Sequence, residues 1–204
     1  MQGSGCNAAA ATLSDQRLRA GTYALLANLL GAPPDADMLQ HLGSSAIGAT
    51  GERSDMVAAW SALKAAAGKA SVDGVDEEYQ ELFIGLGRGE LAPYGSWYLS
   101  GFLMEKPLGT LRQDLAALGY ERPPQVHEPE DHVAALCEVM AMLITDDAVP
   151  FSVQRRFFET HLGSWMERFF RDLEEARSAC FYRSVGCLGQ AFIGLEKHYF
   201  AMLI

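Results

Sequence analysis

HEPEDHVAALCEVMAML, residues 127–143, sets three acids, two histidines and a proline in front of an apolar run. Read as a helix start, Pro129 suits the first turn, where its missing N–H costs nothing. Glu130 and Asp131 then sit at the positive end of the helix dipole, each worth about 0.3–1 kcal/mol. Glu128 adds to the same local charge. Helix stability explains each acid singly, but not the crowding of three carboxylates, whose repulsion offsets part of the gain. A cationic visitor would relieve it.

Two other readings of the stretch are weaker. A zinc-protease helix carries HExxH, because i and i+4 put both imidazoles on one face. Here His127, Glu128 and His132 read H-E-x-x-x-H; five residues turn a helix by about 500°, leaving the rings about 140° apart. Pro129 also places His127 outside the helix, and no cysteine or third histidine lies nearby. An acid–base centre at Asp131 and His132 fares little better, since adjacent side chains diverge by about 100° on a helix. No serine or cysteine nucleophile sits in a recognisable elbow.

Helical periodicity continues outward in both directions. Ser14 can cap a helix carrying Leu18, Leu25, Leu26, Leu29 and Leu30, ended by Gly31, Pro33 and Pro34. A short segment, Asp35 to Leu42, follows, and Ser54 caps a helix with Val57, Trp60 and Leu63 in one stripe. From Glu77 to Leu86, the residues Tyr79, Leu82, Phe83 and Leu86 share a face. GLGRGELAPYGSWYLSGF, from Gly85 to Phe102, reads as the longest irregular stretch and a hinge. Its GLGRG follows a helix and lacks both phosphate-loop patterns. Pro107 opens a helix with Leu108, Leu111, Leu115 and Leu118, closed by Gly119. Segments Ser152 to Leu162, Ser164 to Ala176 and Ser178 to about Ala201 complete the set. In RRFF, Arg155 to Phe158, the phenylalanines read as core and the arginines as surface; Trp165, Phe169, Phe170, Phe181 and Tyr182 also read as core. No segment alternates like a strand, so the fold class is all-α: one globular domain of about eight to ten helices over residues 14–204, behind a frayed tail at 1–13.

Composition bounds what such a domain can bind. The 204 residues are 49% hydrophobic and 21% charged, which suits one sizeable core. A formal net charge of -10 disfavours nucleic acid, because nothing neutralises phosphates in a stripe, and favours a basic partner. The four cysteines, Cys6, Cys137, Cys180 and Cys187, form no CxxC pair and read as free thiols buried in a reducing compartment. Two turns of helix hold Cys180 and Cys187 about 10 Å apart, too far for a disulfide. MQGSGCNAAAAT lacks the basic n-region of a secretory signal, and no run reaches the ~18 apolar residues of a membrane span. These features predict a cytoplasmic protein.

Several motifs, in order, resemble the TorD/DmsD family, cytoplasmic chaperones of molybdoenzymes exported by the twin-arginine route. They are EYQELFIGLG from Glu78, APYGSWYL from Ala92, EPEDH from Glu128, and the tail HLGSWMERFF from His161 followed by FYRSVGCL from Phe181. Order and spacing agree over roughly residues 14 to 200, and the E-P-E-D-H form looks closest to the dimethyl-sulfoxide-reductase branch. Two departures stand out: Leu136 where many relatives have glutamate, and Gly87 where some have tryptophan. The resemblance implies a chaperone, not an enzyme. It would hold back the catalytic subunit of a molybdenum-cofactor oxidoreductase by its signal peptide until the cofactor is inserted. No cofactor or metal is assigned to the chain, and a monomer or homodimer is expected. Such a peptide offers two arginines and then an apolar stretch. Glu128, Glu130 and Asp131 are expected to meet the cations, His132 to orient or donate to the peptide backbone from the turn at Pro129, and Tyr79, Leu82, Phe83, Tyr94 and Trp97 to line an apolar slot. A helical scaffold indifferent to arginines, or a small enzyme using Asp131 and His132, are the rival readings.

Overall fold

The computed structural model describes residues 4–45, 54–85 and 89–202, which form ten α-helices and one π-helical turn with no strand among them. α1 (Ser4–Gly31) starts ahead of the expected cap at Ser14, so helix covers most of the stretch expected to fray. Leu18 faces solvent, whereas Tyr23, Leu26, Leu29 and Leu30 are buried. α2 (Ala36–Ser44), α3 (Asp55–Ala67) and α4 (Val72–Tyr79) each begin at a polar cap. Asp35, Ser54 and Ser71 accept the N–H groups of Met38, Val57 and Gly74. The π-turn Gln80–Ile84 continues α4 directly, closed by Gly85 N–H donating to Gln80 O at 2.7 Å. Leu86 and Gly87 lie outside the described residues.

α5 (Gly95–Ser100) forms inside the stretch expected to be irregular. α6 (Lys106–Ala117) has Pro107 in its first turn, and Gly119, at φ 78°, ends the turn that follows it. α7 (Val133–Thr145), α8 (Phe151–His161), α9 (Met166–Glu175) and α10 (Phe181–Met202) follow. α7 therefore starts at Val133, and Pro129 to Asp131 form a turn in front of it rather than its first turn.

α1 lies along α7, and α10 packs against α9 and α3. Phe157, Phe158, Trp165, Phe169, Phe170, Phe181 and Tyr182 are core, as their spacing indicates. α9 and α10 approach so closely that a Cβ on Gly189 would enter the Phe170 ring. A buried ion pair joins the first and last helices: Arg19 donates to both Glu196 oxygens at 2.6 and 2.8 Å, with Tyr23 and Gln154 in attendance. Cys137 is buried, but Cys180 is exposed just ahead of α10 and Cys187 is half-buried, so the thiols are less uniformly enclosed than their apolar neighbours suggest.

Candidate functional site

Three segments meet near the C-terminal end of α1: the π-turn, the entry to α5, and the turn into α7. Glu78 fixes the first. Its carboxylate accepts the N–H groups of Cys180, Phe181 and Tyr182 at 2.7–2.9 Å, filling the open donors at the start of α10. Tyr79 and Tyr182 donate to the Leu30 and Leu29 carbonyls of α1. Phe83 packs against both rings, at 5.0 and 5.5 Å between centroids. The acid–aromatic pair of the EYQELF motif is thus an anchor that aims the π-turn.

The other two segments are tied to each other. Gly95 N–H donates to Asp131 O and Val133 N–H to Pro93 O, both at 2.9 Å, around an isolated antiparallel bridge between Tyr94 and His132. Asp131 Oδ2 accepts the buried Ser96 N–H at 2.7 Å, capping α5 from across the chain. His132 is the N-cap of α7: its Nδ1 accepts the Ala134 N–H at 3.2 Å, which leaves the proton of the neutral ring on Nε2. Burial lowers the His132 pKa from 6.5, outweighing the opposing pull of Glu128 and Asp131.

Between these segments and α7 lies a groove of about 540 Å³. Tyr79, Phe83 and Tyr94 form one wall, and Ala135, Glu138, Val139 and Met142 present one stripe of α7 from the other side. Tyr120, Glu121, Arg122 and Val126, from the connection after α6, complete the rim. Burial works against the Glu130 charge, but bonds and charge from Arg112 and Arg122 hold its pKa below the usual carboxylate value. Arg112 lies 2.8 Å and Arg122 3.5 Å away, so the chain itself relieves part of the expected crowding of acids. Arg122 also donates to the carbonyls of His127 and Glu128, stapling the turn. Glu128 accepts the Tyr94 hydroxyl; burial and that carboxylate push the phenol well above its usual range, keeping it a neutral donor. Among the described residues no cation pairs with Glu128 or Glu138.

Of the residues singled out from sequence, Tyr79, Phe83, Tyr94, Glu128, Glu130 and His132 line this groove. The remaining four do not. Leu82 is fully buried, continuing the buried stripe of Val75 and Tyr79, whereas Phe83 and Ile84 line the groove. Pro129 shapes the turn without lining the cavity, and Trp97 sits half-buried on α5 away from it. Asp131 is 3% exposed and faces a second cavity of about 190 Å³, shared with Leu136, His161 and Trp165. Leu136, expected to border the groove, therefore lies behind it. Asp131 makes no hydrogen bond to His132, and its Oδ1 has no partner among the described residues, so the two do not form an acid–base pair. Sequence reasoning missed Ile84, Tyr120, Arg122, Val126 and the α7 stripe. The stripe carried a signal, since Ala135, Glu138, Val139 and Met142 repeat at helical spacing.

Known proteins with this pattern point one way. The family described as "Nitrate reductase delta subunit" matches residues 50–171. The chaperone protein TorD of Vibrio cholerae is 29% identical over 131 residues, 59% of this chain and 60% of that protein. A Haemophilus influenzae protein named "Probable Tat proofreading chaperone DmsD" is 28% identical over 116 residues, 56% of each chain. The chain thus spans about 60% of the length of the curated relatives it matches. Among solved structures, a protein of Archaeoglobus fulgidus, described as a candidate redox enzyme maturation protein, superposes with a TM-score of 0.57 at 19% identity, covering 87% of this chain and 94% of that one. That likeness carries the fold. With the family match over residues 50–171 and three of the motifs contributing to one groove, the chain belongs to the nitrate reductase delta subunit family, that of the TorD and DmsD chaperones.

Proposed function

We propose that this protein is a cytoplasmic maturation chaperone, residues 14–204 acting as one unit, that binds the twin-arginine signal peptide of a molybdoenzyme catalytic subunit and delays its export. The observation that carries the reading is the groove, apolar along its walls and acidic at its rim, built from the residues of the EYQELF, APYGSWYL and EPEDH motifs. The apolar stretch of the peptide lies against Phe83, Tyr94, Val139 and Met142, while its arginines meet Glu128 and Glu138. His132 offers its Nε2–H to a peptide carbonyl. Glu130, already held by Arg112 and Arg122, contributes shape more than free charge. Leu82, Pro129 and Asp131 support this surface from behind.

Calorimetric titration with a signal peptide, and with its arginines changed to glutamine, tests the reading. Glu128→Gln should weaken the arginine peptide about ten-fold or more, as expected when a charge-assisted bond of about 1.5–3 kcal/mol is lost. It should barely affect the glutamine peptide. Asp131→Asn should weaken the arginine peptide less than Glu128→Gln does. Equal affinity for the two peptides would instead favour a helical scaffold indifferent to arginine.

A further inference from the structure

We infer that the cavity behind the groove is a binding site in its own right, which takes a compact organic cation of the alkylguanidinium or alkylammonium class on Asp131. Groove and cavity stand back to back and share no lining residue. Neighbours in the chain divide between them: Tyr94, His132 and Ala135 line the groove, and Gly95, Asp131 and Leu136 the cavity. The Tyr94–His132 bridge is part of the partition. The cavity has its own mouth, marked by the exposed lining residues Leu99, Thr110 and Thr160 of α5, α6 and α8.

Asp131 makes this space selective. It is 3% exposed, its Oδ2 is taken by the Ser96 N–H, and its Oδ1, without a partner among the described residues, is the oxygen left for the cavity. The nearby arginines bypass it: Arg112 and Arg122 pair with Glu130, and Arg156 with Asp114. A buried carboxylate without a counter-charge is costly, so a cation that brings its own donors is favoured over water alone. His161, also in the lining, adds no repulsion, because burial lowers its pKa against the pull of Asp114 and keeps the ring neutral at neutral pH. Pro107, Leu111 and Leu136 give aliphatic walls and Trp165 an aromatic one, which suit a short carbon stem and a flat cationic head. Size sets the limit. At about 190 Å³ the cavity exceeds the ~150 Å³ that holds benzene but falls below the ~300–1,000 Å³ of sites for drug-sized ligands, so a nucleotide is excluded. No three metal-ligating side chains gather among the described residues, which favours an organic cation over a metal ion. The net charge of -10 draws cations to the molecule as a whole.

The site does not rest on the peptide reading proposed above. Titration of the full chain with n-propylguanidinium, followed by calorimetry and by the indole N–H resonance of Trp165, tests it directly. Wild type should bind one equivalent saturably and shift that resonance. The uncharged isostere n-propylurea should bind wild type about ten-fold or more weakly, as should n-propylguanidinium the Asp131→Asn variant, since each loses a charge-assisted bond. Asparagine keeps an acceptor for the Ser96 N–H, and thermal melts verify the fold. If that variant unfolds, Thr160→Trp blocks the mouth from an exposed position and should abolish binding. A saturating signal peptide should leave the probe bound. Absence of saturable binding in the millimolar range would mean a cavity that holds water only, and would overturn the inference. Equal affinity for the urea, or unchanged binding in folded Asp131→Asn or Thr160→Trp, would do the same. So would displacement of the probe by the peptide, which would make the cavity part of the peptide's own site.

Discussion

At the scale of single residues, His132 carries two duties that only a neutral ring performs together. Its Nδ1 caps α7 and its Nε2–H is left to donate, so protonation would cost the cap. Burial holds its folded-state pKa below 6.5, so the unfolded chain takes up the extra proton first. Stability is therefore complete above pH 6.5 and declines as pH falls toward the lowered folded value. His161 adds to the slope, because burial lowers its pKa as well, against the pull of Asp114. Glu130 acts in a separate window, its contribution being present above 4.5 and lost as pH falls through its depressed value. The melting temperature should drop between pH 7 and 5.5. His132→Asn, which keeps a capping acceptor without the titration, should flatten that drop; an unchanged slope would remove His132 from the account. The sequence made six groove residues legible because Tyr79, Phe83, Tyr94, Glu128, Glu130 and His132 sit in local motifs. Asp131 lies outside the groove for a tertiary reason: the donor it serves, Ser96, lies on another element and no spacing rule connects them.

At the scale of elements, the π-turn decides what the groove is made of. Helical periodicity put Leu82 and Phe83 on one face; Leu82 continues the buried stripe of Val75 and Tyr79, while the i to i+5 closure from Gln80 to Gly85 winds the turn in which Phe83 and Ile84 line the groove. Period-based reading assumes 3.6 residues per turn and has no way to see that closure. The returning chain locks it: Glu90 and Leu91 N–H groups donate to the Glu81 and Leu82 carbonyls at 3.1 and 2.8 Å. Gly89 permits this, since a Cβ there would stand 2.5 Å from the Phe83 carbonyl carbon. Gly89→Ala should cost about 1–3 kcal/mol, as overpacking does, and should speed hydrogen exchange at the Leu91 amide. A variant with wild-type melting and unchanged exchange would show that the lock is dispensable. α5 was hidden for a related reason. It is a short helix with no side-chain cap from its own N-cap residue, held instead by Asp131 from a distant turn.

At the scale of the whole molecule, the all-α class and the single core were readable because apolar residues recur at helical spacing almost everywhere. How the helices close on each other was not, since that depends on pairs remote in sequence. The clearest is Arg19 with Glu196, 5% and 0% exposed. Removing one partner strands a buried charge: Glu196→Ala should cost about 3–5 kcal/mol, whereas changing Arg19 to Met and Glu196 to Leu together should recover most of it. Urea denaturation of the two variants checks this, and equal losses would show that the charges matter only as packing volume. The same pair orders events at the ribosome. Arg19 is made early and waits, without its counter-ion, until α10 has left the exit tunnel. Chains stalled before Phe181 would then lack both that anion and the surface that covers α9, leaving them exposed to proteolysis. The core therefore closes only once α10 is available, and until then the shorter nascent chain keeps apolar surface of α9 exposed.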